Sequence, residues 1–235
     1  MAGYGQFCPI AKAMELLDER WTVLVLRELL AGSTHFNQLR RGLPHMSPAL
    51  LSKRLRTLTR AGLLVRRADH GEVRYELTEA GRELGPIVQA LGGWAVRWMP
   101  DLGDLDLDPH LLMWDLHRNI DLAAVPPGRT VIHVAFTDVT HSARWWVVVE
   151  DGAVDLCDFD PGHGVSVTLT TDLRTMVLIW RGDVPWPEAM RDGRLTITGP
   201  SQARRGVLRW LTLSPFAAVA RPPAPAPTVR VPEPA

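Results

Sequence analysis

The sequence has little cysteine, almost no lysine and no long apolar run, and each shortage narrows what the chain can be. Cys8 and Cys157 are the only cysteines in 235 residues and lie far apart, so no disulfide framework is implied. No basic stretch followed by an apolar one opens the chain, and nothing approaches the roughly 20 apolar residues of a membrane span. A cytoplasmic protein with no membrane partner is the expectation. Nucleophile elbow, Cys-x-x-Cys, His-Glu-x-x-His and glycine-rich phosphate loop are all missing, so the expectation is no enzyme, no cofactor and no catalytic residue. His110, Asp115 and His117 stand close together, but three such residues alone make a poor metal set, and they are expected to face solvent or cap a helix. One further absence is local: no acidic residue occurs between Leu29 and Ala68.

What fills that gap is basic. Arg40, Arg41, Lys53, Arg54, Arg56, Arg60, Arg66 and Arg67 all lie inside it. The whole chain is neutral, yet its first hundred residues carry 14 Arg and Lys against 9 Asp and Glu, and the remainder 12 against 17. A basic block in a neutral chain suggests that one face meets a polyanion. With 46% hydrophobic and 22% charged residues, the chain is long enough for two modest domains.

Residues 47–62 carry the sharpest local pattern. Ser47 is a good N-cap, Pro48 suits the first helical position, and Gly62 is permissive past the end. At about 100° per residue, Leu51, Leu55 and Leu58 share one stripe. Ala49, Ser52, Lys53, Arg56, Thr57 and Arg60 share the opposite one. Charge pattern alone would allow an ordinary solvated basic face. The neighbouring elements argue otherwise. Helices are expected at 9–18, 21–31 and 36–41. The pattern then switches to a hairpin over 63–77 with its turn at 68–71, and Thr78 caps a long helix running to about residue 99. Three helices, a two-stranded ribbon and a helix make the order of a winged helix-turn-helix, with 47–61 in the recognition position. A major groove admits such a helix, and a ribbon tip reaches the adjoining minor groove. Ser47, Ala49, Ser52, Lys53, Arg56, Thr57 and Arg60 are therefore the candidate groove contacts on double-stranded DNA, with Arg66, Arg67 and His70 near phosphate or minor groove.

Cys8-Pro-Ile, the run from Glu19 to Gly32, Phe36-Asn-Gln-Leu-Arg-Arg, the run from Ser47 to Leu58, Ala61-Gly-Leu-Leu-Val-Arg-Arg and Tyr75-Glu-Leu-Thr-Glu-Ala-Gly together resemble the HxlR-type branch of bacterial winged-helix regulators, relatives of MarR. The resemblance covers residues 7–98 and implies a homodimer, paired through the N-terminal segment and the helix after the wing, on an inverted-repeat operator. The wing departs from the family, with His70-Gly71-Glu72-Val73-Arg74-Tyr75 where a Pro-Pro step is common. Some such regulators sense oxidants through a cysteine at the position of Cys8. A thiol beside a helix N-terminus has its thiolate favoured by the dipole, which makes Cys8 a redox candidate. Cys157 alternates with apolar residues on a strand and is expected to be inert.

Residues 100–109 are acidic and turn-prone, so the expected organisation is a DNA-binding and dimerisation domain over 1–99, a linker over 100–109, an α+β domain over 110–220 and a disordered Pro-rich tail over 221–235. The second domain is expected to open with a helix over 110–122. Strands at 130–137, 143–150, 153–158 and 165–171 follow, then a helix capped by Asp172, a short helix at 187–191, a strand at 194–199 and a last helix over 201–213. This strand-and-turn rhythm is similar to the sterol-carrier-protein domain, which implies an apolar tunnel for a lipid or other hydrophobic molecule. Trp114, Trp145, Met176, Trp180, Trp186, Met190 and Trp210 are the candidate ligand-lining residues, and each is equally suited to plain core. The fold class is thus α+β, a winged helix-turn-helix followed by a sterol-carrier-like domain. The function read from it is a regulator answering to an apolar effector. The competing readings are a lipid carrier that uses its winged helix to dimerise and a thiol sensor acting through Cys8.

Overall fold

The computed structural model describes residues 3–99 and 101–222. Its first half runs α1 (Pro9–Leu17), α2 (Thr22–Leu30), α3 (Phe36–Arg41), α4 (Pro48–Arg60), β1 (Leu64–Asp69), β2 (Glu72–Leu77), α5 (Glu79–Glu83) and α6 (Gly85–Trp98). Ser47 Oγ accepts from the backbone N–H of Leu50 at 3.3 Å, and Gly62, at φ +75°, turns the chain into β1. Val25, Leu26 and Leu29 of α2 close a core with Leu39 of α3 and Leu51, Leu55 and Leu58 of α4. The stripe of α4 read from sequence is therefore its core side. β1 and β2 pair antiparallel, and the reversal lies at His70 and Gly71, whose φ values of 46° and 86° form a tight primed turn.

The single helix expected after Thr78 is two. Thr78 caps α5 through Gly81 N–H at 3.2 Å, and the helix stops at Leu84. Pro86 donates no N–H and its ring crowds the carbonyl four residues back, so α6 restarts with Pro86 in its first turn. No residue of α6 is buried, and Ile87, Leu91, Trp94 and Trp98, spaced along one side, are each more than half exposed.

After a 3-10 turn at Asp104–Asp106, the second half runs α7 (Pro109–Arg118), β3 (Thr130–Phe136), β4 (Arg144–Glu150), β5 (Ala153–Cys157), β6 (Val167–Thr171), α8 (Leu173–Trp180), α9 (Trp186–Arg191), β7 (Leu195–Thr198) and α10 (Ser201–Trp210). The sheet order is β5-β4-β3-β6-β7, antiparallel except for the β3–β6 pair. Asp151 and Gly152, both at positive φ, make the β4–β5 turn. Ile132, Val134, Trp145, Val147, Leu169 and Ile197 of the sheet form a second core with Met113, Met176, Ile179 and Trp210 of the helices.

Three expected boundaries shift. α7 ends at Arg118 rather than near 122, because Ile120 bridges to Leu211 and Asp121 N–H donates to Trp210 O at 2.9 Å. α10 stops at Trp210 rather than 213 for the same reason. The Pro-rich stretch was expected to be free from 221; residues 223–235 lie outside the described part, whereas Arg221 pairs with Asp183, and Phe216 just before it packs on Gly92 of α6. The acidic connector is held as well: Arg174 donates to Leu102 O at 3.1 Å and to Asp104 Oδ1 at 2.6 Å.

Candidate nucleic-acid interface

The outward side of α4 is built by its cap and its core stripe together. Ser47 fixes where the helix starts, and burial of Leu51, Leu55 and Leu58 fixes its rotation. Ser47, Ala49, Lys53, Arg56 and Arg60 are then exposed, with Ser52 and Thr57 half-buried between them. Among the described residues Lys53, Arg56 and Arg60 make no ion pair with the protein. Small side chains near the helix start allow close approach to a groove, and three unneutralised cations follow along the same side.

Arg54 belongs to the same basic block but not to this side. It is 6% exposed, donates to Arg20 O at 3.1 Å and pairs with Glu19. It ties α4 to the turn before α2. In the wing, Arg66, Arg67 and His70 are all exposed, but Arg67 Nε lies 3.1 Å from Glu76 Oε2 on the paired strand. Arg66 makes no ion pair among the described residues. Arg66 and the tip at His70 are thus the freer wing contacts.

The family model described as HxlR-like helix-turn-helix matches residues 16–102. The HTH-type transcriptional regulator YvaP of Bacillus subtilis (strain 168) is 34% identical over 98 residues, covering 40% of this chain and 91% of YvaP. The chain belongs to the HxlR-like helix-turn-helix family. The transcriptional regulator Rv3095 of Mycobacterium tuberculosis (strain ATCC 25618 / H37Rv) is 42% identical over 94 residues, 39% of this chain and 59% of that protein. Among solved structures, the reduced form of the regulator YodB from B. subtilis is 28% identical, covers 41% of this chain and 100% of its own, and superposes with a TM-score of 0.37. All three matches span about two fifths of the chain. The HxlR assignment therefore makes it a transcriptional regulator through its winged helix and leaves the second domain to be read from its own residues.

There the seven candidate ligand residues are not brought together. Met176, Trp180 and Trp210 are buried in the second core, the plain-core alternative for these three. Met190 points outward, 42% exposed, and Trp186 is half-buried beside an open groove with Leu208 and Leu213. Trp114 and Trp145 are 5% and 4% exposed, and both border a cleft between the two domains.

Trp114 connects that cleft to a cluster the sequence reading missed. Glu28 of α2 is fully buried and accepts from Arg27 at 2.7 Å, Arg118 at 2.9 Å and Trp114 Nε1 at 3.2 Å. Arg27 also donates to Gly42 O at 2.9 Å, and a Cβ on Gly42 would sit 1.9 Å from the Glu28 carboxylate. The available signal was an acid on the inward side of an otherwise apolar helix, three residues after Val25. Asp115 and His117, expected to face solvent or cap a helix, are half-buried beside this cluster. Asp115 pairs with Arg118, and burial raises its pKa against the pull of that arginine. His117 stacks on Trp114 with ring centroids 4.3 Å apart, and burial lowers its pKa. His110 is exposed as expected. Among the described residues no group of His, Cys, Asp and Glu is arranged to hold a metal.

Cys8 is the half-buried N-cap residue of α1, followed by Pro9. Cys157 is half-buried at the end of β5, packed against Val131, Trp146 and Val148, and burial raises its pKa. No helix among the described residues is long and apolar enough to cross a membrane.

Proposed function

We propose that the chain is a cytoplasmic homodimeric regulator that reads an inverted-repeat operator with α4, and that its second domain answers to a small molecule by binding rather than by catalysis. The observation that carries this reading is the outward side of α4, where Lys53, Arg56 and Arg60 make no ion pair among the described residues, whereas Arg54 of the same helix is spent on Glu19 and Arg20. Pairing through α6 is supported by the exposed stripe of Ile87, Leu91, Trp94 and Trp98, a run of large apolar groups that water alone would cover at a cost. A sheet with helices packed on one core is compatible with a sterol-carrier-like second domain. The test is fluorescence anisotropy on duplex DNA from the region upstream of the coding sequence, against an unrelated duplex, as salt is raised. Specific binding that survives moderate salt supports the regulator. Weak binding, equal for both duplexes and lost with salt, would favour the carrier reading.

The position of Cys8 at the start of α1 keeps a thiol switch as the second reading. Operator binding by Cys8→Ser that responds to oxidant as the unaltered protein does would remove it.

A further inference from the structure

The second domain does not hang free of the winged helix. α7 lies against α3, and beside their contact opens a cleft of about 660 Å³, a volume in the range of small-molecule sites. One wall comes from the helix-turn-helix, with Arg40, Arg41 and Met46. The other comes from the second domain, with Trp145, Leu156 and Asp158. Arg40 and Arg41 are exposed, and neither makes an ion pair among the described residues. Arg41 lies over the Trp114 ring, 5.6 Å from its centroid, which holds the guanidinium at the cleft. One acid of the lining is already engaged: Asp108 accepts from the N–H groups of His110 and Leu111 and lies 3.0 Å from His45 Nε2. Two arginines without an ion pair among the described residues therefore share the cleft with apolar side chains and with one further carboxylate, Asp158, for which no ion pair occurs among those residues.

We infer that this cleft is a binding site for an amphiphilic carboxylate, one apolar body carrying a single acidic head. The body covers Leu156, Met46 and the edge of Trp145. The head takes Arg40 and Arg41, whose planar forks match a carboxylate. Trp114, which lines the cleft, donates to Glu28, and a ligand drawn onto Arg41 acts one residue from Gly42, where the turn leading to α4 begins. This site replaces the packed core of the second domain as the place where an effector would act. Its influence on DNA rests on the regulator reading above, whereas the binding itself does not.

The test uses the full chain without DNA, titrated by calorimetry with 1-naphthoate, with octanoate and with uncharged 1-naphthylmethanol. At least one acid should bind saturably, and the alcohol about tenfold or more weaker, the size of a lost charge-assisted contact. Arg40→Gln should weaken the acid about tenfold and Asp158→Asn should tighten it severalfold, with both variants melting as the unaltered protein does. The tighter of the two acids identifies the body as aryl or alkyl. Failure of both acids to saturate at millimolar concentration would overturn the site. So would an alcohol that binds as well as the acid, or an affinity indifferent to Arg40→Gln. A second titration in the presence of bound duplex separates the two claims: an acid that binds through Arg40 without changing DNA affinity keeps the site and rejects its role as effector.

Discussion

The outward side of α4 and the cluster around Glu28 use the same residue type in opposite ways. Arg56 and Arg60 stand exposed and make no ion pair among the described residues, whereas Arg27 and Arg118 converge on one fully buried carboxylate. Arg54 shows how narrow the divide is, since it lies two residues from Arg56 on the same helix and is spent on Arg20 and Glu19. An arginine turned inward must bring an acceptor with it, because a lone buried charge is far costlier than a lone exposed one. Those left outward have their donors free for another molecule. The inward set should govern stability and the outward set affinity, and substitutions in one should leave the other's property nearly unmoved.

The sharpest way to break this contrast is Arg118→Ala. It removes one of the two guanidinium partners of Glu28 and leaves that carboxylate under-neutralised between the domains. A loss of about 3 kcal/mol in unfolding free energy is expected from chemical denaturation. A loss below about 0.5 kcal/mol would mean that Arg27 alone suffices. Next comes Arg56→Ala, which should lower specific operator affinity by about 1–3 kcal/mol in anisotropy titrations while stability stays within about 0.5 kcal/mol. Unchanged operator binding would show that α4 is not the reading helix.

How far each set could be foreseen follows from the same divide. The outward set was legible because it rests on local rules: a serine cap, a proline, a glycine stop and a leucine stripe determine where α4 starts and which way it turns. The inward set joins residues 27 and 28 of α2 to residues 114 and 118 of α7, at sequence separations of 86 and 90, and only the packing of α7 against the first domain brings the two pairs together. Sequence could place Trp114 on an amphipathic helix but not say that its indole would serve Glu28. The tryptophans of the second domain are divided, Trp180 and Trp210 in the core and Trp114 and Trp145 at the cleft, for a related reason. A large flat side chain fits a core and a cavity equally, and its neighbours decide which. The break between α5 and α6 was in plain view at Pro86 and lost to the longer apolar rhythm around it.

The inward region also carries a pH signature. Burial holds the His117 ring below the ordinary histidine pKa, and Arg118 and Arg41 push the same way against its backbone hydrogen bond to Trp114 and the charge of Asp155. The folded state therefore resists a proton that the unfolded chain accepts. As pH falls below about 6.5, the unfolded state gains that proton first and stability declines, by at most about 1.4 kcal/mol per pH unit for one group. Thermal melts between pH 7.5 and 5.5 should show a shallower decline for His117→Gln than for the unaltered protein. Equal slopes would assign the decline elsewhere, with His133, also lowered by burial, the next residue to replace.

The smallest effect sharpens the outward half of the contrast, because it separates a cation that reads bases from one that meets phosphate. Lys53 is exposed on α4 and makes no ion pair among the described residues. A phosphate contact there releases about one counterion, so Lys53→Ala should reduce the slope of log affinity against log salt by about 0.9 and weaken operator and unrelated duplex alike. Arg56→Ala should do the reverse, narrowing the gap between the two duplexes. If Lys53→Ala instead narrowed that gap and left the slope alone, Lys53 rather than Arg56 would be the base-reading cation, and the groove would be centred on the middle of α4 rather than on its second half.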